Sequence, residues 1–153
     1  MKILIYNKEN LEKILRNPDS DKNVVAFVCT SLDNVAGGIE RQLVRVANEL
    51  YKREFNIIIL SYDNNPSKSF YKINSGITWI KCGNGLIPHN SANFFKRLKQ
   101  ILLFRKEIKK YKVTHLITFH HGLFPRSFLA TIFLPIKKVI SERNSLENYK
   151  YIT

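Results

Sequence analysis

Between Asn23 and Leu50 an apolar run, a pair of glycines and an amphipathic stretch follow one another. That succession restricts the fold more than any other feature of the chain. The run Asn23-Val24-Val25-Ala26-Phe27-Val28-Cys29-Thr30 is rich in β-branched residues and reads as a buried strand. Gly37 and Gly38 then open a helix over 39–50, in which Ile39, Leu43, Val46, Ala47 and Leu50 share one face. The first-turn amides of a helix lack intrahelical partners, and the helix dipole places partial positive charge beside them. A residue without Cβ lets an anion approach that backbone closely. The corner is a candidate phosphate site. It carries neither the Gly-x-Gly-x-x-Gly dinucleotide fingerprint nor the Gly-Lys-Ser/Thr of a P-loop. A purely structural glycine turn is therefore the alternative reading.

The rest of the chain repeats the same alternation. Residues 56–62 form a continuous β-branched run, as in a strand covered on both faces. Strands are expected over 77–82, 113–119 and 138–142, and helices over 94–112 and 124–133, with polar loops at 63–76 and 83–93. This order predicts an α/β fold: right-handed βαβ crossovers building a Rossmann-like parallel sheet with helices on both faces. Ligands of such sheets bind beyond the carboxyl ends of the strands. Residues 31–38, 120–122 and 143–145 are thus expected at one edge. Residues 1–22 read as an N-terminal extension, a short strand and a helical stretch closed by Asn17-Pro18-Asp19-Ser20-Asp21, and 23–153 as the domain proper. A chain of 153 residues suits one core.

Charge and cysteine content narrow the class. Cys29 and Cys82 each sit in an apolar strand-like run and read as reduced core residues, and no Cys/His spacing suggests a metal site. The net charge is +13, which favours anionic partners. More than half of it lies in 94–112, where Lys96, Arg97, Lys99, Arg105, Lys106, Lys109, Lys110 and Lys112 face one acid, Glu107. In the same stretch Phe94, Leu98, Ile101, Phe104, Ile108 and Tyr111 step by three and four, which predicts one buried apolar face. The basic side reads as a solvated face, as a surface for anionic membrane lipid, or as a nucleic-acid surface; no nucleic-acid signature accompanies it. No secretory leader is evident, and the longest apolar run, 127–136, is too short to span a bilayer. A cytoplasmic protein is expected, either soluble or peripheral on the inner face of the membrane.

Two motifs carry a family resemblance. Gly37-Gly38-Ile39-Glu40-Arg41-Gln42-Leu43, followed by Ala47-Asn48-Glu49-Leu50 and Ile57-Ile58-Ile59-Leu60, resembles the opening of the family 4 glycosyltransferases. Val139-Ile140-Ser141-Glu142-Arg143-Asn144 resembles the Ser-Glu-(Arg or His)-Asn segment that closes that family's fifth strand. The resemblance covers about 24–144 and implies the N-terminal, acceptor-side half of a GT-B enzyme. Such enzymes usually move a hexose from a nucleotide sugar with retention, need no metal, and use the nucleotide sugar as substrate with no further cofactor. The family's C-terminal donor domain is absent from this sequence. The expectation is therefore a truncated or split enzyme, inactive without a separate C-terminal half.

The resemblance also suggests roles for particular residues. Gly37, Gly38 and Arg41 would meet the donor phosphates. His120 or His121, at a strand end, would hydrogen-bond the reacting sugar or acceptor as the catalytic group, since an imidazole donates or accepts near neutral pH; the alternative is two polar residues leaving a sheet. Glu142, Arg143 and Asn144 would contact hydroxyls of a glycan or lipid-linked acceptor, the alternative being an exposed ion pair. Two rival functions remain: a non-catalytic basic module that docks on anionic membranes, and a nucleic-acid-binding α/β protein.

Overall fold

The structure, a computed structural model, describes residues 23–83, 94–119 and 121–141. Five strands form one parallel sheet: β1 (Val24–Cys29), β2 (Asn56–Ser61), β3 (Thr78–Lys81), β4 (His115–Thr118) and β5 (Lys137–Ile140), in the order β3-β2-β1-β4-β5. β1 is central, with Phe27 opposite Ile59 on β2 and Ile117 on β4. Its residues Val25 to Cys29 are all buried, as a strand needs when helices cover both faces. β2 is buried over all but its first residue, while the edge strand β3 is half-exposed.

Helix α1 (Gly38–Lys52) covers one face with Leu43, Val44, Val46, Ala47 and Leu50. These pack with Val25, Phe27, Ile57, Ile59 and Ile117 from the sheet. Burying a side chain of leucine size contributes about 2 kcal/mol, so this stripe fixes the helix on the sheet. Helices α2 (Phe94–Lys110) and α3 (Phe124–Thr131) cover the other face, where Phe104, Ile108 and Ala130 meet Ala26, Val28, Ile58 and Leu60. Arg105 ties the two helices together by donating to the carbonyls of Ala130, at 3.0 Å, and Ile132, at 2.9 Å. These satisfy acceptors that the end of α3 leaves unpaired.

The expected apolar face of α2 is corrected by the structure. Phe104 and Ile108 are buried, and Ile101 and Tyr111 pack partly, but Phe94 is 71% exposed and Leu98 42%. The buried row continues instead through Gln100, whose side chain donates to the Gly83 carbonyl at 3.4 Å. A polar residue in the buried row is invisible to hydropathy, so the apolar period was followed one step off the true face. The helix also stops short of 112: Lys112 takes a positive φ of 52°, a left-handed terminus with no glycine to announce it.

Candidate functional site

In the order β3-β2-β1-β4-β5 the chain leaves β1 toward α1 on one face and β4 toward α3 on the other. The crevice beyond β1 and β4 is the switch point, where ligands of open parallel sheets bind. Residues 30–37 lead from β1 into α1. A short 3-10 turn (His121–Leu123) follows β4.

Gly37 is the N-cap of α1, in extended conformation, and no side chain caps the helix. Its carbonyl accepts the Arg41 amide at 3.1 Å, closing the first turn. A Cβ built on Gly38 meets nothing within 4 Å. One built on Gly37 meets chiefly the Glu40 carboxylate, the mobile end of a flexible side chain. Packing therefore gives no reason for either glycine: the space beside Gly38 is open, and that beside Gly37 holds the Glu40 carboxylate. Glu40, one turn in, folds its carboxylate back over Gly37. A carboxylate there complements the helix dipole by about 0.3–1 kcal/mol. It also occupies the place of an external anion, so a phosphate reaching these amides displaces it.

The residue that shapes this edge was missed by the sequence reading. Asp63, just beyond β2, is buried, and both of its oxygens are engaged. Ser31 Oγ donates to one; the Leu32 amide, at 2.8 Å, and Ser61 Oγ, at 2.7 Å, donate to the other. Ser61 Oγ in turn accepts the Trp79 indole N–H at 2.8 Å. Asp63 thus fastens the exit of β1 to the exit of β2. An acid at the end of the second strand holds a ribose in dinucleotide-binding folds; here the chain's own donors take up the carboxylate. Gly83 completes the knot: its amide donates to the Asp63 carbonyl at 2.9 Å, and a Cβ there would collide with the Tyr62 and Asp63 carbonyls.

Burial sets the ionisation of the nearby acids. It pushes the Cys29 thiol well up, aided by the negative charges of Asp63 and Glu40. It raises Cys82 to about 11, with Glu107 adding to the effect. Burial also takes Tyr62 to about 12, against the opposing pull of Arg126. Both cysteines are free and buried, as expected from their apolar runs.

Gly37 and Gly38 thus stand where the sequence places them, at the carboxyl edge beside the switch point. Arg41 projects along the outer flank of α1, where it lines a groove with Arg45 and Lys72. His120, Glu142, Arg143 and Asn144 lie outside the described residues, as does the 1–22 extension; His121 opens the 3-10 turn after β4. The Ala47-Asn48 motif has a structural role: Ala47 is buried against the sheet and Asn48 clamps the β2–β3 connection. Among the described residues no three His, Cys, Asp or Glu side chains gather as metal ligands.

The sequence matches no protein-family model and no curated protein. Solved structures do share the fold. A glycosyltransferase from Rickettsia africae ESF-5 matches with a TM-score of 0.56 and 26% identity, over 78% of this chain and 29% of that protein. MurG of Acinetobacter baumannii matches with a TM-score of 0.54 and 23% identity, over 80% of this chain and 35% of its own. The chain therefore spans about a third of the length of these structures. Its five-stranded α/β sheet is a Rossmann-like glycosyltransferase fold of the GT-B kind.

Proposed function

We propose that this chain is the acceptor-side domain of a retaining glycosyltransferase that moves a hexose from a nucleotide sugar to a glycan or lipid-linked acceptor. The observation that carries the reading is the open glycine corner at the switch point of a glycosyltransferase fold. Helix-terminal amides aimed at a departing diphosphate would stabilise charge as it develops. Loss of one such preorganised donor typically costs about 3–4 kcal/mol of barrier lowering. In this reading His120 or His121 hydrogen-bonds the reacting sugar, and Glu142, Arg143 and Asn144 orient acceptor hydroxyls.

A second observation supports work at an anionic membrane surface. Phe95 is 74% exposed and Phe133 92%, with Leu102, Phe128 and Leu129 also on the surface of α2 and α3. Leu98 and Arg105 are seven residues apart and so lie on one side of α2; Arg105 reaches the carbonyls of Ala130 and Ile132, the latter next to Phe133. The exposed apolar residues of the two helices therefore adjoin, with Arg97, Lys99 and Lys106 around them. Phe133 holds a positive φ of 61°, costly for a bulky residue, and presents its ring to solvent. No described helix is long and apolar enough to cross a membrane. Apolar insertion combined with lysine attraction to acidic headgroups suits attachment in the interface plane.

The test is sugar transfer or donor hydrolysis by the chain alone and after mixing with a separately expressed C-terminal half. Gly38→Val is the decisive variant, because added carbons there meet open space and the fold is retained. The proposal expects transfer by the mixture and its loss in Gly38→Val, by about 100-fold or more. A fully active Gly38→Val mixture overturns the role given to the corner.

A further inference from the structure

A second concavity lies on the outer flank of α1, away from the carboxyl edge. On the helix side Arg41, Arg45, Asn48 and Lys52 recur at three- and four-residue steps and so stand in a row. The opposite wall is Tyr71, Lys72 and Asn74, from the connection between β2 and β3. Between them runs an open groove of about 380 Å³ above buried Val44.

This wall is held in place. The Asn48 side-chain amide donates to the Lys72 carbonyl at 2.9 Å, and its oxygen accepts the Asn74 amide at 2.9 Å. Tyr71 and Ile73 pack against the core on the α1 side. Further along the same connection, the Asn34 amide donates to the Lys68 carbonyl at 2.8 Å and the Lys68 amide to the Asp33 carboxylate at 2.9 Å. The groove exists before any ligand arrives.

Its charge is one-sided. Four cations line it against a single acid, Glu49, which pairs with Lys52 at 3.1 Å. Among the described residues no salt bridge takes up Arg41, Arg45 or Lys72. Guanidinium forks match carboxylate and phosphate oxygens in two-point contacts. Asn48 keeps one N–H and one lone pair beyond its clamp, which suits hydroxyl groups. Grooves for single-stranded nucleic acid offer a series of aromatic platforms, whereas Tyr71 is the one aromatic residue lining this groove.

We infer that the flank groove binds an acidic oligosaccharide segment, as a subsite for the charged part of the acceptor. The assignment rests on the acceptor-side reading of the domain and names its substrate class. Position supports it. Arg41 begins the row one turn from Gly37, and Lys52 stands eleven residues on, about 16 Å along the helix axis. An acceptor with its reacting end in the crevice would trail its anionic chain down this flank.

The test uses the full chain without nucleotide sugar, so its outcome is independent of any transfer assay. Calorimetric titrations at about 50 mM salt would compare a galacturonate hexamer with maltohexaose, inorganic phosphate and a thymidine hexanucleotide. The hexagalacturonate is expected to bind about tenfold more tightly than the other three, and more weakly as salt rises. Arg45→Glu with Lys72→Glu should weaken it about tenfold. Lys109→Glu, on α2 across the sheet, with Lys137→Glu, on β5 at the edge farthest from the β2–β3 connection, should change it less than about twofold. All four side chains are exposed, so thermal melts should show retained folds; the milder Lys72→Gln should still weaken binding about threefold. Absence of hexagalacturonate binding, equal binding of the oligonucleotide, or equal losses in the two double variants would overturn the inference.

Discussion

On one side of the sheet α1 places all its aliphatic residues in or against the core. On the other, α2 and α3 leave Phe94, Phe95, Leu98, Leu102, Phe128 and Leu129 at the surface, with Phe133 just beyond. The two sides are equally necessary to a two-sided parallel sheet, yet the exposed large apolar residues are concentrated on the second, with Phe70 of the β2–β3 connection, 61% exposed, the exception beside α1. The α1 side ends in an open amide corner and a cationic flank, features that suit charged, hydroxylated ligands. The α2–α3 side combines apolar and basic residues, features that suit an anionic lipid surface. In the proposed reading one small sheet thereby separates two kinds of recognition.

The comparison is broken most severely at Asp63, on which the polar rim of the α1 side is built. Asp63→Ala leaves Ser31, Leu32 and Ser61 without their shared acceptor. The expected loss is about 3 kcal/mol, read from urea unfolding, with a fall of roughly 10 °C in Tm. A loss below about 1 kcal/mol would show that the rim does not depend on it.

Alkali should act next, through Cys29 on the α1 side and through Tyr62 and Cys82 on the α2 side. Tyr62 and Cys82 both belong to that core, and burial raises them from 10.0 to about 12 and from 9.0 to about 11. Each is neutral when protonated, so the unfolded chain ionises first as pH rises. Stability is intact below about pH 9 and falls above it as the pH climbs through the folded values, Tyr62 and Cys82 together losing roughly 1–2 kcal/mol at pH 10 and Cys29 adding to the fall. Denaturant titrations between pH 7 and 10.5 check this, and Tyr62→Phe should flatten the upper part of the decline. A flat profile would mean these groups are better solvated than their burial indicates.

The smallest stability change sharpens the contrast instead of breaking it. Phe133→Gly relieves a left-handed aromatic residue and should stabilise the chain by about 1 kcal/mol. It should also weaken binding to vesicles containing phosphatidylglycerol about tenfold, since a phenyl ring leaves the lipid interface. Unchanged vesicle binding would remove Phe133 from the docking face.

Sequence patterning revealed some of this and concealed the rest, for identifiable reasons. β1, the glycine corner, α1 and β2 were legible because their apolar residues follow a single period and are all covered. The parallel topology followed from the alternation of elements. α2 was legible as a helix but not in its orientation, because Gln100 interrupts the buried row and Leu98 and Leu102 offer a second, exposed one. Asp63 was overlooked because an acid in a polar loop looks solvated until Ser31 and Leu32 close on it from 32 and 31 residues away. Asn48 was read as a family motif; its clamp on the β2–β3 connection shows only in three dimensions.

The central claim is that the first-turn amides of α1 are exposed to an anion in the crevice. A titration of the isotopically labelled chain with inorganic pyrophosphate, followed by backbone amide NMR, tests it directly. Shifts should concentrate at Gly38, Ile39 and Glu40, and binding should tighten in Glu40→Gln, where the competing carboxylate charge is gone. Shifts confined to Arg45 and Lys72 on the flank, or none in the first turn of α1, would contradict it.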